Sequence, residues 1–431
     1  MGNSPKLKII SAAGVVPIEG EPLFPGAVLI EGENIRAVGA PAELQMQFPD
    51  ATTEDFPDGV LLPGLVNAHA DLSLTHFDLR KNEPFQMTDG RVLLMPWLVQ
   101  MSRYKSKLSI LDQQKAVAEG LNFQKSRGVT TVGDRCRYPG VIAQYGDSGL
   151  RVVCLAEIEN IQRPLAQEEF EQALALADEI VAADHPRLKA GYAPFAAYTL
   201  SKNLLKILAE HALTQGLPLH LFASLSFSEM EFFYDSLGEI SAVLFREAGW
   251  AEKIPPPHRM TPIQFLHEIG FLRAHPALVG CLHLGPTDEA LLNHSAALRV
   301  LAPKAFHYLQ LGQIPWNKIL ENKTEWALGT LGKAWGSTMD PWDEMRVVLN
   351  EFEDETRREA IAQNLLRAAT LGAAKALGLS NDIGSLVPGK KADFILIKAP
   401  GRKFSFAELI DQVREGALQA AYVSGQKLPQ A

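Results

Sequence analysis

The chain has 431 residues, of which 47% are hydrophobic and 21% charged, and 41 basic against 50 acidic residues give a net charge of −9. That is the composition of an ordinary folded protein, long enough for one large barrel and a smaller domain, and no basic cluster interleaved with aromatics is there to track a phosphate backbone, so nucleic acid is not an expected partner. Cys136, Cys154 and Cys281 have no paired spacing, which argues against a disulfide framework and fits a reducing cytoplasm. The start lacks a signal-like apolar core, and no stretch approaches the ~18 apolar residues of a membrane span, so no membrane partner is expected.

Residues 7–10, 26–31 and 34–39 read as short strands, with a hairpin break at Glu31-Gly32-Glu33-Asn34. So few strands need a partner to bury their surface. The run Leu61-Leu62-Pro63-Gly64-Leu65-Val66-Asn67-Ala68-His69-Ala70-Asp71-Leu72 follows. If 65–69 is a buried strand, its period of two puts His69 and Asp71 on one face at the carboxyl end, where a parallel barrel keeps its chemistry.

Further apolar runs at 129–133, 150–156, 188–193, 217–222, 277–283, 297–301 and 325–329 predict seven more strands, which makes eight, the barrel count. They alternate with helical spacing over 111–127, 168–183, 202–215 and 355–377, the pattern of repeated βα units. Two segments exceed an ordinary loop: 78–104, with Phe85, Trp97 and Tyr104, and 227–271, with Phe232, Phe233, Tyr234 and Trp250. Long insertions after barrel strands shape or cover a pocket, or pack as an aromatic cluster. Turn-and-strand patterns at 383–397 and 420–427 close the chain.

The stretch Pro63-Gly64-Leu65-Val66-Asn67-Ala68-His69 and the C-terminal pattern through Pro388-Gly389-Lys390-Lys391-Ala392-Asp393 resemble the amidohydrolase superfamily, over nearly the whole chain. The most similar branch holds the metal-dependent deaminases of amino-purine and nucleoside-like compounds and the related chlorohydrolases. The resemblance implies a (β/α)8 TIM barrel over 63–382, with a composite β-sandwich domain built from the N- and C-terminal strands, 1–62 and 383–431. It also implies homo-oligomerisation, for which no local signal is visible.

In that branch a metal sits on two strand-one histidines, a strand-five histidine, a strand-six histidine and a strand-eight aspartate. Here the second strand-one histidine is Asp71, the strand-six histidine is Gly280 and the strand-eight aspartate is Leu331. The proton-transferring glutamate after strand five is Ala223, and the substrate-side histidine after strand four is Phe195. The framework beside each loss is intact, at Tyr198-Thr199, Cys281, Pro303 and Gly329-Thr330. His69, Asp71 and His220 remain as a reduced metal set, since two histidines and a carboxylate can hold zinc. Three roles are open for the two histidines: a polar remnant of the pocket, metal ligation, or direct ligand contact. Asp71 equally suits a neighbouring base.

Phe195, Tyr198, Phe222, His283, Phe306, Leu331 and Trp97 are the expected pocket residues, and no catalytic residue is assigned. Glu157 and Glu159, after strand three, are expected as solvated loop charges, the alternative being that they face the pocket and supply a substitute acid. The leading expectation is a degenerate member, impaired or inactive as a metallohydrolase, with no cofactor, that binds a small aromatic or nucleoside-like ligand or a protein partner. The alternative is an active, deaminase-like hydrolase of non-peptide carbon–nitrogen bonds with one divalent metal ion (zinc, iron or manganese) on His69, Asp71 and His220.

Overall fold

Both ends of the chain meet in one sheet. Strands β1 (Leu7–Val15), β2 (Gly26–Glu31), β3 (Asn34–Gly39) and β4 (Thr52–Pro63) come from the N-terminal side. From the C-terminal side come β13 (Phe394–Lys398), β14 (Leu418–Val423) and β15 (Gln426–Lys427), and the sheet order is β15-β14-β13-β4-β1-β2-β3. The computed structural model describes residues 6–429 except 85, 88–91, 160–162, 322, 323, 337, 400, 402 and 403. Phe85, expected near the pocket, therefore lies outside the described residues.

Only Gly64 separates β4 from the first barrel strand, β5 (Leu65–Ala70). A Cβ at Gly64 would stand 2.1 Å from the Thr130 hydroxyl, so the junction accepts no side chain. β5 is buried at all six positions, as a strand covered on both faces must be. It pairs in parallel with β6 (Val129–Cys136), then β7 (Arg151–Ile158) and β8 (Leu188–Pro194), in one four-stranded sheet. The second contains β9 (His220–Ala223), β10 (Ala277–Gly280), β11 (Leu298–Leu301) and β12 (Trp326–Leu328).

Isolated bridges close these two sheets into the (β/α)8 barrel: Ala70 with Leu331 on one side, Tyr192 with Leu219 and Ala196 with Phe222 on the other. Asn67 reinforces the first seam. Its amide donates to the Thr330 hydroxyl at 2.8 Å, and its carbonyl accepts from the Thr330 N–H at 3.1 Å.

All eight barrel strands lie where the sequence predicts them, with shifted ends. β10 stops at Gly280 rather than running to 283, because Gly280 and Cys281 take φ of 112° and 53° and turn the chain out of the sheet. The helix expected over 355–377 is α-helical over Glu355–Arg367, opens into a π turn over Ala368–Gly372 and resumes over Ala373–Ala376.

The two insertions pack on each other above the carboxyl ends of the strands. Segment 78–104 contains most of the helix Leu94–Lys105, and 227–271 contains the helices Phe227–Asp235 and Pro262–Glu268. Glu239 accepts a hydrogen bond from the Met95 N–H at 3.2 Å, and Arg103 pairs with Glu247. Phe232, Phe233 and Phe245 form a buried aromatic cluster inside the second insertion. Among the described residues no helix is long and apolar enough to cross a membrane.

Candidate active site at the barrel mouth

β5 delivers His69 to the barrel interior, and β9 delivers His220 from the opposite sheet. Their Nδ1 atoms lie 3.1 Å apart and their rings stack with centroids at 5.3 Å. The protons can be assigned from the partners. His220 Nε2 is 3.0 Å from the Ala376 carbonyl, which can only accept, so His220 carries its proton there. That carbonyl belongs to the last turn of a helix, where no amide four residues on claims it. Burial holds the His220 imidazolium down at about 4, so the ring is neutral and its Nδ1 is an acceptor.

His69 Nδ1–H must then donate to it, which leaves His69 Nε2 as a bare lone pair. That atom is buried and has no hydrogen-bond partner. Burial, and then His220, Arg135 and Lys105, hold the His69 pKa far below that of a free histidine.

Asp71 is turned away from this pair. Its Oδ1 accepts from the Ser73 hydroxyl at 2.6 Å, and its Oδ2 lies 2.8 Å from Lys105 Nζ. Lys105 is the last residue of the helix Leu94–Lys105, so the first insertion carries an ammonium into the barrel mouth. The same ammonium lies 2.7 Å from Glu157 Oε2, and Glu157 Oε1 accepts from Arg135 at 2.5 Å. Arg135 in turn lies 3.8 Å from Asp71, so two cations and two carboxylates close a ring. Burial pushes Glu157 up, but Arg135 and Lys105 outweigh it and bring its carboxyl down to about 2. Burial likewise disfavours the Lys105 ammonium, and Asp71 and Glu157 together reverse that, so its pKa ends above the ordinary value.

The Arg135 guanidinium sits over two rings, Phe195 at 5.3 Å and Phe222 at 5.4 Å from their centroids. Phe222 is stacked on Trp335 at 5.1 Å and stands edge-on to His69. An aromatic floor under a desolvated guanidinium stabilises it by about 1–2 kcal/mol.

A cavity of about 170 Å³ opens onto this ring, walled by Asp71, Lys105, Arg135, Glu157, Glu159, Phe195 and Trp335 among others. Burial, and then the neighbouring Glu157 charge, raise the Glu159 carboxyl to about 7. Behind the wall, Asp134 accepts from the Leu72 N–H at 2.8 Å and the Tyr145 hydroxyl at 2.7 Å, and burial raises it to about 7 as well.

The structure thus brings His69 and His220 together, while the third expected ligand, Asp71, belongs to the Lys105 ring. Among the expected pocket residues, only Phe195 lines the cavity. Phe222 lies under Arg135, and Leu331 forms the seam with Ala70. Trp97 donates its indole N–H to the Ala334 carbonyl at 2.9 Å, so it braces Trp335 from behind. Tyr198 packs against Phe232, Phe306 is buried outside the cavity wall, and His283 is held by the Leu311 carbonyl at 2.6 Å because β10 ends early. Of the positions with lost family groups, Ala223 and Gly280 end paired strands and Leu331 follows the last one.

Sequence reasoning missed Lys105, Arg135 and Trp335. Arg135 had a signal: within an apolar barrel strand, a charge near the carboxyl end belongs in the mouth. Lys105 had none before the insertion was seen to fold back.

A parallel barrel with a charged cluster and a cavity at its carboxyl face has its site where (β/α)8 proteins keep their chemistry. The chain belongs to the amidohydrolase family, whose model matches residues 60–427. Its relatives include an aminodeoxyfutalosine deaminase of Deinococcus radiodurans, 27% identical over 82% of both chains. A 5-methylthioadenosine/S-adenosylhomocysteine deaminase of Desulfitobacterium hafniense is 26% identical over 98% of this chain and 93% of its own. An adenosine deaminase from Xanthomonas campestris with bound zinc superimposes with a TM-score of 0.80, at 24% identity, over 99% of this chain and 93% of that one. The Helicobacter pylori aminofutalosine deaminase in complex with methylthio-coformycin gives 0.82 at 18% identity, over 98% and 100%. The chain is deaminase-like in sequence and fold.

The bound zinc of the Xanthomonas campestris structure sets a test for the residues here. Among the described residues no three His, Cys, Asp or Glu side chains are grouped so that they could hold a metal ion. His69 offers one free lone pair, His220 has both ring nitrogens engaged, and both Asp71 oxygens are hydrogen-bonded. As arranged, the donor set does not fit a metal ion.

Proposed function

We propose that the chain binds a small nucleoside-like molecule in the barrel-mouth cavity and hydrolyses a non-peptide carbon–nitrogen bond in it. The observation that carries this reading is Glu159, a carboxyl with a pKa of about 7 on the wall of the cavity that Lys105 and Arg135 also line. A group poised near neutrality can take a proton from water and return it to a leaving amine, which contributes roughly 10²–10⁴-fold to such reactions. Arg135 and Lys105 stand on the same wall, where they stabilise negative charge that develops on the substrate. Phe195 and Trp335 offer ring faces for a planar base. The two sequence relatives named above, an aminodeoxyfutalosine deaminase and a 5-methylthioadenosine/S-adenosylhomocysteine deaminase, support the substrate class.

Ammonia release from a panel of amino-purine nucleosides tests the reading. Turnover is expected to rise with pH up to about 7 and then level, because the carboxylate form of Glu159 does the work. Glu159→Gln is expected to lose about 10²–10⁴-fold in kcat with little change in binding. Saturable binding with no ammonia from any member of the panel would overturn hydrolysis.

That outcome would favour the second reading, a member that binds the ligand without turnover. Its support is specific: His69 and His220 close on each other, and Ala223, Gly280 and Leu331 present no acid, base or metal ligand at three strand ends.

A further inference from the structure

In the ring at the barrel mouth every carboxylate oxygen is already satisfied. Asp71 Oδ1 is bound by Ser73 and Oδ2 by Lys105, while Glu157 Oε2 is bound by Lys105 and Oε1 by Arg135. Asp71 and Glu157 come from different strands, β5's end and β7, and Lys105 Nζ is the one atom that touches both, at 2.8 and 2.7 Å. All three side chains are buried, with 12% exposure at Lys105 and 4% and 5% at the two carboxylates. Two carboxylates this close and this dry cannot remain ionised without a cation between them. A divalent cation bound by hard oxygen donors is the usual solution; here the chain supplies the charge from its own helix.

We propose that Lys105 is the internal cation of this site, its ammonium standing between Asp71 and Glu157 where a divalent cation would otherwise neutralise them, so that the site is built to work without one. The charge balance then depends on the first insertion, because Lys105 reaches the ring only when the helix Leu94–Lys105 is docked. Removing the ammonium leaves Asp71 and Glu157 with the Ser73 hydroxyl beside them and only Arg135, paired to Glu157 and 3.8 Å from Asp71, to offset their charge. The carboxylates and the hydroxyl are a set of hard oxygen donors that binds a divalent cation the wild type has no room for.

The test compares the wild type with Lys105→Met and Lys105→Arg, full-length, for manganese and zinc content after dialysis and for Tm with each metal or with EDTA. The wild type and Lys105→Arg are expected to retain no stoichiometric metal and to show the same Tm in metal and in EDTA. Lys105→Met is expected to bind about one divalent ion per chain and to gain roughly 3 °C in Tm at a hundredfold excess over its Kd. Stoichiometric metal in the wild type would overturn the proposal, and so would a folded Lys105→Met whose Tm ignores both metals.

If Lys105→Met does not fold, the double variant Lys105→Met with Asp71→Asn decides. It removes one charge of each sign, and the proposal expects it to recover a soluble, cooperatively melting protein that is indifferent to metal; no recovery would count against it. None of these readouts uses turnover, so the result stands whether or not the chain proves to be a hydrolase.

Discussion

Phe195 shows how a residue can be correctly placed and still misread. In a sequence, phenylalanine where the family resemblance implies a histidine reads as a polar group lost to an apolar pocket. In the structure its ring carries Arg135, and Arg135 carries Glu157, so the substitution seats a cation. Asp71 followed the same course: the period of the strand put it on one face with His69, but the strand ends at Ala70 and Asp71 turns to Lys105, 34 residues on in the first insertion. Residue types and strand ends are local properties and could be read; ion pairs are tertiary and could not. Asp134 supports a sharper expectation at this scale. Its folded carboxyl sits at about 7 against 3.8 when exposed, so the folded chain keeps a proton that the unfolded chain releases. Stability from this group is complete below about pH 4 and declines as pH rises to about 7. Asp134→Asn keeps the acceptor for the Leu72 N–H, turns the atom facing Tyr145 from an acceptor into an N–H donor to the phenol oxygen, and cannot titrate, so its Tm should fall less across that window than the wild type's.

Among the elements, the run over 355–377 is the most instructive. Its apolar spacing predicts one helix, and a helix forms, but it widens into a π turn at Ala368–Gly372 where it crosses β12. The cause is close approach: a Cβ on Gly372 would stand 2.1 Å from the Trp326 carbonyl oxygen, so only glycine lets helix and strand meet there. The last turn then presents the Ala376 carbonyl to His220. Gly372→Ala should therefore cost about 2–3 kcal/mol, read as a lower urea midpoint, and should disturb the histidine pair although it lies outside the cavity. Early termination of β10 has the same character. Periodicity continued the strand to His283, and a left-handed Cys281 ended it, a conformation no hydrophobic pattern announces.

At the scale of the whole molecule, barrel and terminal sheet are fastened by buried charge as well as by chain. Arg151, the first residue of β7, reaches Asp393 with two nitrogens at 2.6 and 3.1 Å, and Ser424 completes the contact from the end of β14. Truncating one partner strands the other charge in the interior, so Arg151→Met should destabilise the protein by about 3–5 kcal/mol, visible as a lower Tm with the cavity geometry preserved. Barrel count was legible because eight apolar runs carry strong patterns, and the joining of both chain ends was implied by the family resemblance. This clamp was not, since Arg151 reads as an ordinary strand boundary.

The terminal sheet also places β4 in its middle, with β1 on one side and β13 on the other. On a ribosome the first four strands emerge early, whereas Phe394 emerges only after the entire barrel has been made, on the order of half a minute later at usual rates of synthesis. Throughout that interval one side of β4, which is apolar from Val60 to Pro63, has no strand to pair with. An open apolar edge is a template for any extended chain that passes. For the nascent protein, then, the hazard lies in waiting for its own last strands, and crowding or slow translation should lower the soluble yield more than any change at the barrel mouth.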